Sequence, residues 1–313
     1  MVHTLVSEEL RSVTFRASTV TSVPAFLTSC GLSKREATRV LGEKRLTSEG
    51  VTLKAQDTIG EDACVRLALA CVPVVAPKAS AQPAEVIYRD RFVLAAVKGQ
   101  GLLVHGDGTG AHTLTDDVVA HLANVARDGG EDMMPSPQAL NRLDVDTSGI
   151  VLFSLTHEFQ AAFDAMIAGH EMEKCYLAIV SGRMRETSVF EISAPIGRDR
   201  HNAQRMICSR TGKEATTLVL PLAQRKNETL VAVRILTGRR HQIRVHLAHV
   251  GHPIVGDALY GRGAGPLMLH AAHLAFDHPL KRDRIVLSAA SPARFREHFS
   301  PVNVDWSILT SGM

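Results

Sequence analysis

The stretch from Leu140 to Leu155 constrains this chain more than any other. Thr147, Ser148 and Gly149 make a tight turn, and a largely apolar run, Ile150 to Leu155, follows at once. Such a run, short and bounded by a turn, reads as a strand. The turn therefore holds Asp144 at the mouth of that strand, with Arg142 beside it. Aspartate is a carboxylate at neutral pH. Positioned and partly shielded, it can act as a nucleophile or a base. The commoner use of an aspartate in such a place is to cap the turn, and the segment alone leaves both readings open.

The rest of the chain supplies the frame. Residues 72–84 contain three prolines, small residues and one charge, which reads as an extended linker. The organisation expected is a small module over 1–72, a linker over 73–84 and a large domain over 85–313. The chain is 45% hydrophobic and 21% charged, as in ordinary globular proteins. A net charge of only +3 does not by itself announce a polyanionic partner, so local clusters must carry that argument. The five cysteines are an odd number with no Cys-x-x-Cys pair, which supports neither a disulfide framework nor a zinc ribbon. The expected compartment is the reducing cytoplasm. Met1 to Leu10 carries Glu8 and Glu9 and lacks the apolar core of a signal peptide. The most apolar stretch, Leu67 to Ala76, is too short to span a bilayer, so no membrane association is expected.

In the small module, strands are expected at Ser12–Ala17, Val51–Leu53 and Val65–Leu69, and a short helix at Val23–Thr28. Ser33 and Glu36 fit a capping box that starts a second helix. Lys34, Arg35, Arg39, Lys44 and Arg45 face only Glu36 and Glu43 there, so this helix and its exit are basic. A basic helix can be an RNA-binding face or simply a solvated one.

In the large domain, residues 84–98 read as two strands. Gly106 to Gly110 lacks the Gly-Lys-Ser/Thr ending of a phosphate-binding loop and reads as a flexible loop. A helix is expected over Thr156–Ala168, with Phe159, Ala162, Phe163, Met166 and Ile167 as its core stripe and Gly169 as its stop. Tyr176 lies on the next strand. Its ring can stack on any nucleobase, or can be an ordinary half-buried strand tyrosine. Arg198, Arg200, Arg205, Arg210 and Lys213 make the following connection basic. From Val231 to His252 there is no acidic residue, while Arg234, Arg239, Arg240 and Arg244 are cationic. His241, His246, His249 and His252 have no neighbouring cysteine or carboxylate motif, so solvent or RNA contact is expected and no metal.

These segments, taken in order, resemble the RluA-type pseudouridine synthases. Asn141-Arg142-Leu143-Asp144 through Thr147-Ser148-Gly149 is similar to that family's His-Arg-Leu-Asp-x-x-Thr-Ser-Gly. Lys98-Gly99-Gln100-Gly101-Leu102-Leu103-Val104-His105 resembles Lys-Pro-x-Gly-x-x-Val-His, and Lys174-Cys175-Tyr176-Leu177-Ala178-Ile179-Val180-Ser181-Gly182 resembles Lys-x-Tyr-x-Ala-x-Val-x-Gly. Thr237-Gly238-Arg239-Arg240-His241-Gln242-Ile243-Arg244-Val245-His246-Leu247 is very similar to Thr-Gly-Arg-x-His-Gln-Ile-Arg-Val-His-Leu. The resemblance covers roughly residues 84–280. Residues 12–70 are similar to a small ribosomal-protein-like RNA-binding module, with Ser48-Glu49-Gly50 in place of the usual Val-Asn-Gly turn.

The resemblance implies an α+β fold, with a mixed, mostly antiparallel sheet, flanking helices and a central cleft, preceded by a small α/β RNA-binding module. It implies isomerisation of uridine to pseudouridine in structured RNA, without a cofactor and without an obligate protein partner. By the same resemblance Asp144 is the catalytic carboxylate, Arg244 pairs with it, and Tyr176 packs on the target base. Arg142 fills the space the flipped uridine leaves. Lys34, Arg35 and Arg39 in the module, and Arg239, Arg240, His241 and Gln242 in the domain, contact RNA. Large-subunit ribosomal RNA is the expected substrate, with transfer RNA as the competitor. Gly99 in place of proline suggests a looser loop. Asn141, in place of histidine, can hydrogen-bond but cannot carry charge. These two departures motivate a second reading, an RNA-binding protein without catalysis, against which Asp144, Tyr176 and Arg244 argue. A nucleobase deaminase needs Pro-Cys-x-x-Cys, which this chain lacks.

Overall fold

The computed structural model describes residues 3–9, 11–263, 265–300 and 303–310, so the outermost ends of the spans 1–72 and 85–313 lie outside the described residues. Two sheets organise the chain. The first contains β1 (Thr4–Glu9), β2 (Ser12–Arg16), β3 (Leu46–Ser48), β4 (Val51–Thr52) and β5 (Cys64–Ala68), in the order β1-β2-β5-β3-β4. Helices α1 (Val23–Ser29) and α2 (Lys34–Gly42) pack against it. Ser33 caps α2 by accepting from the Glu36 amide at 3.2 Å. Only this half of the expected capping box forms. Glu36 is buried, and its carboxylate turns to Arg39 at 2.8 Å.

The second sheet has ten strands. Its main path uses β6 (Val86–Arg89), β7 (Val93–Lys98), β8 (Ser148–Ser154), β9 (Glu173–Ser181), β10 (Phe190–Ser193), β11 (Thr216–Arg225), β12 (Glu228–Ile235) and β13 (Leu269–Asp277), in the order β10-β11-β12-β9-β13-β8-β7-β6. Strand β14 (Arg284–Ser288) pairs with β13, and Gln138–Ala139 pairs with β8. Every pairing is antiparallel except β8 with β13, where Ser148 and Gly149 lie beside His270 and Ala271. This parallel seam needs a glycine. Gly149 has φ +120°, and a Cβ there would lie 2.2 Å from the Ala271 carbonyl oxygen.

Side-chain alternation along β7 and β8 divides their residues between two cores. Val93, Ala95, Ile150 and Leu152 face one side, while Leu94, Ala96, Val151 and Phe153 face the other. The second side is covered by α3 (Leu114–Asp128), the longest helix, which sequence reading missed. A full capping box, Thr113 with Asp116, starts it, and Leu114, Val118 and Leu122 are buried. The first side is covered by α4 (Gln160–Ala168). The expected helix over 156–168 begins as one turn of tighter helix at His157–Phe159, and the left-handed residue after it is His170, not Gly169.

The small sheet belongs to that same first core. Phe15 lies 6.0 Å from Phe159, and Phe159 lies 5.5 Å from Phe92, ring centre to ring centre. Phe92 and Phe159 are fully buried. A buried ion pair crosses the same boundary, Arg45 to Glu158 at 2.5 Å, and the Ala70 amide donates to Glu158 at 2.8 Å. Between the sheets, the proline-rich stretch is tied at both ends. Val72–Pro73 pairs with Met133–Met134, and the Gln82 amide donates to Asp117 at 2.8 Å. No helix among the described residues is long and apolar enough to cross a membrane.

Candidate active site

The turn before β8 opens into a cleft of about 1650 Å³ that runs across the seam of the large sheet. Asp144 lines it with its side chain 30% exposed. Two backbone ties hold the turn: the Thr147 amide donates to the Asp144 carbonyl, and the Gly101 amide to the Val145 carbonyl. The third is Lys98, the last residue of β7. It is fully buried, and its ammonium donates to the carbonyls of Gly99, Leu102 and Val145 at 2.9, 2.7 and 2.8 Å. Burial pushes that ammonium down to about 8, against the pull of Asp146 and Asp144. The loop at Gly99 is thus tethered at both ends by the neighbouring lysine, and the loosening expected from the missing proline is not observed. Replacing Lys98 by Met takes this donor from the Gly99 and Leu102 carbonyls, while Val145 keeps the Gly101 amide, at about 1–3 kcal/mol for each carbonyl left unpaired that water does not reach. We expect Lys98→Met to lower the urea midpoint of unfolding clearly; an unchanged midpoint would show that the turn holds itself.

Arg244, on α5 (Gln242–His249), reaches Asp144 at 3.4 Å. Its closer partner is Asp257. There the guanidinium makes a two-pronged contact, Nε to Oδ2 at 2.7 Å and Nη2 to Oδ1 at 2.9 Å. Asp257 is buried and also accepts from the Leu259 and Tyr260 amides. Burial opposes charge on both groups, and their mutual contact outweighs it. Arg244 is held above its ordinary value and the Asp257 carboxyl below its own. The expected Arg244–Asp144 pair is therefore the outer half of a triad whose anchor is Asp257.

His241 is half-buried and lines the cleft, with its ring turned toward Asp144. Its backbone is left-handed, with φ 55°. Its Nε2 lies 3.8 Å from Asp144, and its Nδ1 lies 2.8 Å from the Tyr260 hydroxyl. The Met206 amide donates to that hydroxyl, so the tyrosine proton is free to go to Nδ1. The Nε2 edge of the ring faces Asp144. Burial pushes the imidazole down, against the pull of Asp144, so the ring is neutral at pH 7.

The expected RNA contact of Gln242 is corrected. It is buried, its oxygen accepts from Thr237 and the Arg239 amide, and its nitrogen donates to Thr216 and Thr217. With those contacts made inside the protein, it shapes the loop and has no face left for RNA. Asn141 likewise turns to the sheet. Its amide bonds the Ile150 carbonyl and the Leu152 amide at 3.2 and 2.7 Å, as an added strand residue would.

Tyr176 lies on β9 with its ring lining the cleft, 7% exposed. Burial first, then the charge of Asp144, raises its phenol, which stays neutral. Arg142, Arg239 and Arg240 also line the cleft. Arg142 and Arg240 are exposed, and Arg239 is partly so. Lys34 and Arg35 are exposed on α2, and Arg39 is held by Glu36, on the small sheet's side of the molecule and away from the residues that line the cleft. No group of three or more His, Cys, Asp or Glu suited to a metal occurs among the described residues. Sequence analysis gave no role to Lys98 and did not single out Asp257. Asp257 had a signal: it is the first acidic residue after Glu228, at the end of an arginine-rich run.

Comparison with known proteins gives a consistent result. Residues 93–249 match the model of the RNA pseudouridylate synthase family. A ribosomal large subunit pseudouridine synthase D of Zymomonas mobilis is 30% identical over 272 residues, covering 80% of this chain and 84% of that protein. A tRNA pseudouridine synthase C of Vibrio parahaemolyticus is 31% identical over 238 residues, covering 69% of this chain and 94% of its own. Among solved structures, human RNA pseudouridylate synthase domain containing 1 superposes with a TM-score of 0.56 at 25% identity, over 69% of this chain and 87% of that one.

Proposed function

The chain belongs to the RNA pseudouridylate synthase family and is an RNA uridine isomerase, and from that premise we propose that Asp144 starts the reaction on a uridine of structured large-subunit ribosomal RNA. The reaction breaks the bond from ribose C1′ to N1 and makes one from C1′ to C5; the C5 proton leaves and N1 gains one. Nothing is oxidised, and the reading needs no cofactor. The observation that carries it is the Asp144 carboxylate in the cleft, with Arg244 at 3.4 Å, the His241 Nε2 at 3.8 Å and the ring of Tyr176 lining the same cleft.

Each group has a part in this reading. The uridine leaves its stack at a cost of about a few kcal/mol. Its base lies on Tyr176, and Arg142, exposed beside Asp144, fills the gap. Arg244 and His241 orient the carboxylate and oppose its rotation out of line. Arg239 and Arg240 lie where the flanking backbone runs. Attack on the sugar, attack on the base and proton abstraction all begin from the same oxygens of Asp144.

The ribosomal substrate is favoured by coverage. The match to the relative named for the large ribosomal subunit takes in more of this chain than residues 85–313 contain, so it includes part of the small module. The relative named for tRNA, matched over nearly its whole length, supports the second reading, a transfer RNA substrate. The same proposal puts the protein in the cytoplasm, where unpaired cysteines suit the reducing medium. A site-resolved pseudouridine map of total RNA, from cells without the gene and cells with it restored, tests all of this. A ribosomal site lost and regained is the expected result. A transfer RNA site would select the second reading, and an unchanged map with an inactive purified protein would remove both.

The module's basic helix gives a separate expectation. If Lys34 and Arg35 each touch a phosphate, Lys34→Ala with Arg35→Ala flattens the plot of log affinity against log salt by about 2. An unaltered slope means that α2 is only a solvated face.

A further inference from the structure

Lys174 is a cation without a counterpart among the described residues. It sits at the start of β9, lines the cleft and is half-buried. Among the described residues, no carboxylate lies within 4.0 Å of its ammonium, and no oxygen accepts a hydrogen bond from it. Burial alone lowers its ammonium from the ordinary value, with no neighbouring charge opposing. Its inward neighbour among the cleft cations is answered: Arg244 is held by Asp257. A half-buried ammonium without a partner is disfavoured, and an arriving anion offsets that cost.

Its position says which anion. Lys174 and Tyr176 are two residues apart on one strand, so they share the cleft face at a separation of about 6.6 Å along it. The Lys174 ammonium lies 4.0 Å from where a Cβ on Gly238 would be, so that turn leaves the space over it open. Tyr176 pairs with Ala271, which lies beside Gly149 at the parallel seam, whereas Lys174 pairs with Leu274, three residues further along β13. The lysine therefore stands beyond the base-stacking ring, on the side away from the reacting carboxylate. We propose that Lys174 seats the RNA phosphate next to the flipped uridine, fixing how deep the nucleotide enters while Tyr176 holds its base. This rests on the reading of the cleft as the uridine site. Lysine suits the task, because it meets phosphate as a compact point charge.

The test uses the full chain and large-subunit ribosomal RNA transcripts spanning the mapped uridine. Affinity is measured against salt concentration, and single-turnover pseudouridine formation at saturating enzyme. Lys174→Met is expected to flatten the log–log salt slope by about 0.7–0.9 and, because the seat sets how deep the nucleotide enters, to lower the saturating rate with it. Lys174→Arg should restore the slope. RNA carrying an uncharged methylphosphonate at the adjoining phosphate should bind wild type and Lys174→Met equally. An unchanged slope in a variant that melts like wild type overturns the proposal. So does a lower saturating rate at unchanged slope, which would assign the ammonium to the base. The two readings fail separately: a wild-type protein that makes no pseudouridine sinks the uridine site, whereas an active wild type with an indifferent Lys174 sinks only the phosphate seat.

Discussion

Asp144→Asn should lower single-turnover pseudouridine formation by at least about 10³-fold, the scale expected when a nucleophile or base is removed. It should leave melting temperature and RNA affinity close to wild type. The side chain keeps its shape, is 30% exposed and meets Arg244 only at 3.4 Å, so little of the fold depends on its charge. Arg244 keeps its closer partner, Asp257. Turnover and thermal melting measured on one preparation separate the alternatives. Retained turnover would remove Asp144 from the chemistry. Lost turnover with a collapsed melt would show that the carboxylate is a structural cap.

Arg244→Ala should do more than slow the reaction. It takes the orienting group from Asp144, at about 10²-fold in rate, and it leaves Asp257 as an unanswered buried carboxylate. Removing one partner of such a pair costs about 3–5 kcal/mol. Arg244→Lys should not rescue it, because an ammonium does not reproduce the two-pronged contact. The pH dependence has a definite sign. In the wild type, the folded Asp257 carboxyl lies below its ordinary value. Its contribution is complete above that ordinary value and lost as pH falls through the depressed one. In Arg244→Ala the bare carboxylate is relieved by protonation. The stability gap between variant and wild type should therefore be widest near neutral pH and should close in acid. A gap that is constant with pH, by urea unfolding, would mean that Asp257 is not the group left unpaired.

Much of this site could be read from the chain because its chemistry sits in short runs. Asp144, Tyr176 and Arg244 come to one cleft. The inward turn of His241 and Gln242 was not legible. Both lie in a run with no acidic residue, which reads as a uniformly basic surface. Their burial follows from Tyr260 and from the Thr216–Thr217 pair, partners that are distant in sequence and show no periodicity. Helix α3 was legible and missed; its capping box and apolar spacing are both local signals. The union of the two cores was hidden for a physical reason. The proline-rich stretch reads as an extended linker between separate bodies, but whether two bodies fuse depends on what their faces bury, and Phe15 carries no mark of Phe159.

That union has a consequence for how the chain is born. The small sheet leaves the ribosome first, but the ring that covers Phe15 belongs to Phe159, about 140 residues later. At about 5–20 residues per second, that apolar face stays uncovered for roughly 10–30 s. Strands β13 and β14, which complete that core with Leu274, Phe276 and Leu287, arrive last. During synthesis the module is therefore a client for holding chaperones, and a stall or truncation between residues 72 and 159 strands a sticky half-core. Fragments ending in that interval should aggregate where the complete chain does not.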